Sequence, residues 1–342
     1  MTNCHVGGTQ TPSLLLALVV VTGVIGSPLA ATGQTDGYTP PRTADGRPDL
    51  QGIWGSNSIT PLERPDSLGD KATLTAEELA RVEATANTLF AQDAGDAAFG
   101  DQFFNVALTN PDSFTSSDGG TGNYNQFWLV ERDFNNRTSL IIDPPNGKLP
   151  PTTLAAKAGT RAAEADRGRP AAWTDDRGLS ERCVTFGLPN LLAGYNSYYQ
   201  ILQTADHVVI EQELIHTTRI IPLDGRPYVD DDIRQWHGDS RGHFEGDTLV
   251  VETKHFSQQS NFRGAREHLQ LVERFTRVGP NEVHYEFTVT DPTTWTRSWT
   301  ALVPWKRTDE PMFEYACHEG NIGMEGILAG ARAEEAEGGG SR

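Results

Sequence analysis

The second half of the chain is a succession of short strand-like segments separated by turn residues. The segments span 197–204, 207–215, 217–222, 247–255, 267–276, 282–290 and 296–305. Dipeptides such as Asp224-Gly225 and Glu245-Gly246 stand between them and are typical of turns. Short strands at this spacing, without alternating helices or a glycine-rich phosphate-binding motif, predict an antiparallel β-sandwich or β-barrel.

The first half predicts helices as well as strands. Thr75 and Glu78 have the spacing of a capping box, and an apolar face follows them, so we expect a helix over 75–92. Residues 152–167 are rich in alanine and charged side chains and predict a second, exposed helix. Strands are predicted at 123–132 and 137–143.

These elements predict a mainly β protein with an antiparallel β-barrel as its core. We assign the core barrel to residues 181–320. Residues 32–180 are expected to be an N-terminal extension whose helix, strands and loops pack on the barrel. A short helix and a disordered tail are expected over residues 321–342.

The N-terminus carries the pattern of a secretory signal peptide. The apolar run LLLALVVVTGVI at residues 14–25 is shorter than the roughly 20 residues that span a bilayer. Small residues follow in GSPLAATG at 26–33, as in a cleavage zone. Residues 1–13 contain no Lys or Arg, so an uncleaved anchor is the alternative. We predict a signal peptide over residues 1–31 and a periplasmic or secreted protein.

Two cysteines remain after such cleavage, Cys183 and Cys317. In an oxidising compartment an even pair predicts a disulfide. Neither cysteine lies in a CxxC pair, so metal binding is the weaker interpretation. A bridge between them would tie the C-terminal region to the centre of the chain.

The net charge excludes some partners. The formal charge is −18, and the sequence pI is about 4.8. An acidic surface of this kind repels phosphate backbones and anionic lipids. We therefore predict no nucleic-acid partner and, after signal cleavage, no membrane partner. No oligomeric state is predicted.

The segment HVVIEQELIHTTRII at 207–221 carries charges where a core strand would be apolar. If it is one strand, Glu213 and Arg219 share a face and His216 lies on the other. Either the pair or His216 should then point inward, unless a bulge changes the register. A buried ion pair is the structural interpretation, and a base held for proton transfer is the functional one.

The segment 236–246 gathers polar side chains ahead of the next strand. Arg241 could hold a substrate carboxylate or phenolate through a fork of hydrogen bonds. The structural alternative is a turn in which Asp239 caps backbone amides and Trp236 closes the barrel end. His237, with the other nearby histidines, matches no zinc-binding spacing, so no metal and no cofactor are predicted.

The aromatic segment AGYNSYYQI at 193–201 is a candidate pocket wall. Tyr195, Tyr198 and Tyr199 could contact a flat or hydrophobic molecule and supply a hydroxyl as an acid. The alternative for each is a place in an aromatic β-core.

Several sequence blocks resemble a family of exported bacterial proteins. They are DGRPDLQGIW (45–54), RTSLIIDPPNGKLPP (137–151), YNSYYQI (195–201), IPLDGRP (221–227), GDSRGHFEGDTLVVET (238–253) and EYACHEGN (314–321). The resemblance covers most of residues 42–330, and the family looks like a calycin or lipocalin-like β-barrel with helical decoration. Such a fold implies a small hydrophobic ligand in some members and cofactor-free chemistry in others, and does not decide between them.

The combined prediction is a cofactor-independent enzyme of lyase or isomerase type, acting on a small hydrophobic or aromatic molecule inside the barrel. Six residues are assigned catalytic roles: the base is His216 or Glu213, the acid Tyr198 or Asp239, and the anion-stabilising group Arg219 or Arg241. Four residues are assigned to substrate binding: Tyr195, Tyr199, Trp236 and His237. A non-catalytic periplasmic carrier of a hydrophobic ligand is the alternative, and a structural protein with a filled barrel is the third hypothesis.

Overall fold

Alternation of buried and exposed side chains builds one large antiparallel sheet. The computed structural model describes residues 37–89, 104, 132–166, 169–193 and 195–337, all within one unit, Gln34–Arg342. The predicted signal segment, most of the predicted strand at 123–132, and the last five residues lie outside the described residues. The predicted helix at 75–92 is described as far as Leu89.

The sheet has ten strands, so the predicted mainly β, antiparallel fold class is confirmed. They are β1 Gly52–Gly55, β2 Ile141–Asp143, β3 Tyr198–Gln203, β4 His207–Gln212, β5 Thr217–Pro222, β6 Asp239–Glu245, β7 Thr248–Lys254, β8 Gln270–Gly279, β9 Glu282–Thr290 and β10 Trp299–Thr308. Their order is β5-β4-β3-β1-β10-β9-β8-β7-β6, and β2 pairs with β10 beside this path. Two strands, β1 and β2, therefore come from the region that precedes residue 181.

The sheet curls into a barrel-like shape without closing. Its edge strands β5 and β6 lie next to each other, but no ladder of backbone hydrogen bonds joins these two described strands. Gly242 of β6 allows the close approach, because a Cβ atom there would lie 2.9 Å from Ile221 Cγ2 and 2.8 Å from Leu223 Cδ2. Side-chain packing therefore closes the seam that hydrogen bonds leave open.

Aromatic rings fill the inside of the barrel. In β9 every second residue from Val283 to Val289 is buried. Trp305 of β10 stacks on Tyr199 with ring centroids 4.3 Å apart, and Tyr285 lies 4.7 Å from the same indole. Each such pair contributes about 0.5–1.5 kcal/mol beyond the burial of its area. The interior is consequently a packed core.

Trp54 anchors the N-terminal strand to this core. Its side chain is fully buried, and its Nε1 donates to the carbonyl oxygen of Leu50 at 2.9 Å. The guanidinium groups of Arg277 and Arg307 lie 5.6 and 5.8 Å from its ring centroid. Backbone ladders pair β1 with β3 and β10, and the cation–π contacts add to this pairing.

Three α-helices are described: α1 Ala76–Leu89, α2 Leu154–Asp166 and α3 Ile322–Ala336. The predicted capping box of α1 is present, because Glu78 N donates to Thr75 Oγ1 at 3.2 Å and Thr75 N donates to Glu78 Oε2 at 2.8 Å. Within the described residues, none of the helices has the length and apolar character needed to cross a membrane.

The chain between β4 and β6 differs from the predicted strands. The predicted strand at 207–215 ends at Gln212, because a 3₁₀ turn over Leu214–His216 follows. Ile215 and His216 take positive φ angles of 55° and 38° in this turn. Residues 239–245, which lie in the segment expected to precede the strand at 247–255, form the edge strand β6.

The predicted disulfide between Cys183 and Cys317 is confirmed. The two Cα atoms are 5.6 Å apart, and 134 positions of sequence separate the cysteines. In the chain-entropy model a loop of this length stabilises the fold by about 5 kcal/mol. The bridge holds the segment after β10 against the loop before β3.

Candidate functional site

A wide cleft of about 1090 Å³ lies on the outside of the barrel. One wall is the outer face of β1 and β3 with the end of β10, and the other is residues 309–321, which we call the C-terminal strap. Gly55 of β1 pairs with Tyr198 on one side and Lys306 on the other, so these three positions form one row of the wall.

Glu213 is the buried carboxyl group in this cleft. It follows the last residue of β4, and its side chain is only 4% exposed. The backbone N–H of Phe313 in the strap donates to its Oε1 at 3.1 Å. Burial raises the pKa of Glu213 above its ordinary value, although hydrogen bonds from the Phe313 and Tyr198 backbones and the Asn196 side chain act to lower it.

Two of the predicted tyrosines line the same cleft. Tyr195 precedes β3, and Tyr198 is the first residue of that strand. Gly55 lets the Tyr198 ring lie close to β1, since a Cβ atom at Gly55 would be 3.1 Å from Tyr198 Cε1. The phenol of Tyr198 and the carboxyl of Glu213 thus belong to one wall, joined by a backbone hydrogen bond of 3.0 Å from Glu213 N to Tyr198 O.

His216 stands at the strap rather than inside the barrel. Its side chain is exposed, and its Nδ1 donates to the carbonyl oxygen of Tyr315 at 3.3 Å. The positive φ at His216 in the 3₁₀ turn directs the chain away from the strand register that the sequence suggested. Tyr315 lines the cleft, so His216 lies behind the strap residue that forms its rim.

Arg219 pairs with Glu273 of β8, not with Glu213. The two side chains form a bidentate ion pair with N–O distances of 2.6 and 3.0 Å. Tyr285 also donates to Glu273 Oε1, at 2.9 Å. Arg219 and Glu273 are only 8% and 1% exposed, so this is a buried network inside the barrel.

The barrel interior leaves little space beside this network. Tyr199 stacks on Trp305, and burial raises the pKa of the Tyr199 phenol well above its ordinary range, so it stays neutral. A void of about 10 Å³ remains next to Arg219. Such a void is about the size of one water molecule. An organic substrate does not fit into this void, and the cleft of about 1090 Å³ lies outside the barrel.

His237 is a neutral side chain near the buried network. Burial, with a smaller contribution from the positive charge of Arg219, lowers its pKa to about 4. Its Nε2 contacts the hydroxyl of Thr185. Trp236, the residue before it, lines a different cavity of about 300 Å³ and is 46% exposed. The structure thus separates these two predicted binding residues from the cleft.

Asp239 and Arg241 lie two positions apart and share a face of β6. They form an ion pair at 2.5 Å. Asp239 Oδ2 also accepts from Val229 N at 2.9 Å, and Arg241 Nη2 donates to the Pro227 carbonyl at 2.6 Å. These bonds fasten the loop before β6 to the strand. They agree with one part of the structural alternative, since Asp239 binds a backbone amide, but the segment is a strand and not a turn.

Several residues at these sites were absent from the sequence-based set. Glu273 and Tyr285 could have been found, because Glu273 lies on the same strand face as the apolar Leu271 and Phe275. The strap was predictable in part, because the Cys183–Cys317 pair indicated that the C-terminal region is tied to the centre of the chain, but no periodic pattern marks the strap residues that line the cleft. No cluster of three or more His, Cys, Asp or Glu side chains in the described part of the chain is arranged to hold a metal ion.

Comparisons with known proteins add little to this geometry. No protein-family model matches the chain, and no curated protein matches it. Among solved structures, the chain is similar to the crystal structure of a mutant of the fluorescent protein UnaG, with 16% sequence identity. The similarity covers 39% of this chain and 88% of that chain, with a TM-score of 0.22. At that TM-score the likeness assigns neither a family nor a function.

Proposed function

We propose that the protein is a cofactor-independent enzyme of lyase or isomerase type, which transfers a proton on a small hydrophobic or aromatic molecule bound in the cleft. The observation that carries the proposal is Glu213, a buried carboxyl group with a raised pKa in the wall of an open cleft of about 1090 Å³. A raised pKa makes a carboxylate a stronger base and brings it closer to the pH at which enzymes work.

The roles follow from the positions around Glu213. Glu213 is the general base, and the N–H of Phe313 fixes its orientation. Tyr198, in the same wall, is the candidate acid, while His216 behind the strap is the alternative base. Arg307 also contributes to the lining of the cleft, but its guanidinium lies over the Trp54 ring, so the proposal assigns no cation to developing negative charge.

The proposal assigns the remaining predicted catalytic residues to structure. Arg219 is held by Glu273 inside the barrel, and Asp239 and Arg241 hold each other on β6. None of these three lines the cleft. Substituting any of these three residues should affect the stability of the fold more than the rate of a chemical step.

The experiment begins by identifying a bound molecule. Native mass spectrometry of the full chain purified from cells would give the mass of a small ligand. That ligand is then incubated with the protein in D2O, because a proton-transfer enzyme exchanges a carbon-bound hydrogen even where net turnover is invisible. We expect Glu213→Gln to slow deuterium incorporation by about 100-fold or more, within the range for general acid–base catalysis.

Glu211→Gln is the matched control. Glu211 lies two positions away on β4 and does not line the cleft. It should exchange deuterium at the wild-type rate, and both variants should keep the wild-type unfolding midpoint within a small margin. Wild-type exchange by Glu213→Gln would remove the carboxyl group from the mechanism.

A carrier without turnover is the second candidate function. It is favoured by the aromatic side chains along the cleft, Tyr195, Tyr198, Phe313 and Tyr315. Phe313 is 68% exposed and lines the cleft, so its ring is accessible to an apolar ligand. A ligand that binds wild type and Glu213→Gln equally, with no deuterium incorporation in either, would select the carrier.

We further propose export to the periplasm or the medium, and a calycin or lipocalin-like barrel. The disulfide supports an oxidising compartment. The meanders β3-β4-β5 and β6 to β10 support an up-and-down barrel. Mass spectrometry of the mature N-terminus tests export: a chain beginning near residue 32 supports cleavage, and an intact Met1 in the exported fraction contradicts it.

A further inference from the structure

We propose that the cavity beside Trp236 is a second small-molecule site and that it binds an aromatic carboxylate. The cavity measures about 300 Å³, at the lower end of ligand-site volumes. The loop 175–187, Trp236 and residues 259–266 surround it. It shares no lining residue with the cleft, so the proposal is independent of the function assigned to Glu213.

Two partly exposed aromatic side chains form the apolar part of this site. Trp236 is 46% exposed and Phe186 is 43% exposed. The backbone of Trp236 is fixed, because Ser260 Oγ donates to its carbonyl oxygen at 2.8 Å. An aromatic ring on a fixed backbone that opens to a cavity offers a large contact area, and a tryptophan side chain has only two χ angles to order on binding. The complementary part of a ligand is therefore flat and apolar.

The charge of the site comes from one uncompensated arginine. Arg177 and Arg182 also line the cavity, and each pairs with a carboxylate of the same loop, at 2.7 and 2.9 Å. Arg266 has no ion-pair partner among the described residues and donates only to the carbonyl oxygen of Gln258, at 2.9 Å. Its remaining N–H groups suit the two oxygens of a carboxylate.

The rest of the lining fits a ligand of this kind. Gln259, Ser260 and Asn261 lie along the same wall and are uncharged, and each side chain already bonds within the chain, to Arg182, the Trp236 carbonyl and Gly264 N. Asp176 is engaged elsewhere, since its Oδ2 accepts from Ala172 N at 2.7 Å and Trp173 N at 3.2 Å. The formal net charge of the chain is −18. A cavity with an unpaired guanidinium and two exposed aromatic rings therefore differs from the acidic surface that this charge implies.

Isothermal titration calorimetry on the full chain tests the site, with naphthalene-2-carboxylate and its neutral amide as probes. We expect the carboxylate to bind at least about tenfold more tightly than the amide, as a charge-assisted hydrogen bond would give. Arg266→Met should remove this preference while leaving the amide affinity unchanged. Trp236→Ala should weaken both probes by about tenfold or more, and Trp236→Phe should restore part of that loss.

Three control variants separate this site from the surface and from the cleft. Trp173 is 67% exposed and does not line the cavity, so Trp173→Ala should bind both probes as wild type does. Arg263 is a nearby exposed cation that also lies outside the lining. Arg263→Met should therefore bind both probes as wild type does. Glu213→Gln should leave both affinities unchanged. Equal affinity for carboxylate and amide, a preference that survives Arg266→Met, or no binding of either probe would overturn the proposal.

Discussion

Removing the Glu273 carboxylate should leave the Arg219 guanidinium as an unpaired charge inside the barrel. Both Arg219 contacts to Glu273 lie at or below 3.0 Å, and the two residues are 8% and 1% exposed. Breaking a buried pair by removing one partner costs about 3–5 kcal/mol, since the remaining charge has no water to solvate it. We therefore expect Glu273→Leu to lower the free energy of unfolding by about that amount.

The double variant Arg219→Met/Glu273→Leu separates the effect of losing the whole ion pair from the effect of leaving one charge unpaired. Arg219→Met alone should cost about as much as Glu273→Leu, because either one strands the other charge. In the double variant no charge remains, and the cost should fall to about 1–3 kcal/mol for the Tyr285 hydroxyl that loses its acceptor. The double variant should accordingly be more stable than either single variant.

Urea unfolding monitored by tryptophan fluorescence measures these differences in the free energy of unfolding. An unchanged slope of that free energy against urea concentration would show that the variants expose the same surface on unfolding. The control is Glu245→Gln, which breaks a solvent-exposed contact with Arg274 at 2.7 Å and should cost less than about 1 kcal/mol. A loss below that value in Glu273→Leu, or single losses that add in the double variant, would refute the assignment of a buried structural pair.

Three further predictions concern the bridge, His237 and the barrel seam. Replacing Cys183 and Cys317 by alanine should lower the free energy of unfolding by about 2–5 kcal/mol without reductant present, and an unchanged urea midpoint would contradict this. Because the folded protein holds the pKa of His237 at about 4, its contribution to stability is fully present above a pH of about 6.5 and is lost as the pH falls toward 4. The pH dependence of unfolding in His237→Gln should lack that loss, so a curve parallel to wild type would count against it. Gly242→Ala should cost about 1–3 kcal/mol by overpacking the seam, whereas Gly279→Ala, where a Cβ meets nothing closer than 3.9 Å, should be neutral or slightly stabilising.

Strand periodicity predicted much of the sheet because most strands bury one face. β9 shows this in full, with buried side chains at every second position from Val283 to Val289. β6 was missed because its inward positions are Ser240, Gly242 and Phe244, so only the last gives an apolar signal. The antiparallel ladder with β7, from Asp239–Lys254 to Glu245–Thr248, makes β6 a strand, and the apolar pattern of β6 alone does not contain that information.

The partner of Arg219 was predicted wrongly for a related reason. The sequence placed Glu213 and Arg219 on one face of a continuous strand. The turn with positive φ at Ile215 and His216 breaks that register, and the carboxylate that meets Arg219 comes from Glu273, 54 positions along the chain. Charges on an apolar strand face do predict a buried pair, but the partner depends on strand order.

Side chains that stabilise the fold fill the inside of the barrel, and the space for a ligand is the cleft outside it. Inside the barrel, aromatic rings stack on one another, and Arg219, Glu273 and Tyr285 hydrogen-bond with one another. These polar groups therefore stabilise the fold. Glu213 lies past the end of β4, where the strap covers it, and the strap is held there by the Cys183 bridge and the Phe313 N–H. Burial is the largest influence on the pKa of Glu213, and it outweighs the opposing hydrogen bond from the Phe313 N–H of the strap. Reducing the bridge should therefore move that pKa back toward its ordinary value, and titration of Glu213 by NMR with and without reductant would show whether the strap creates the site.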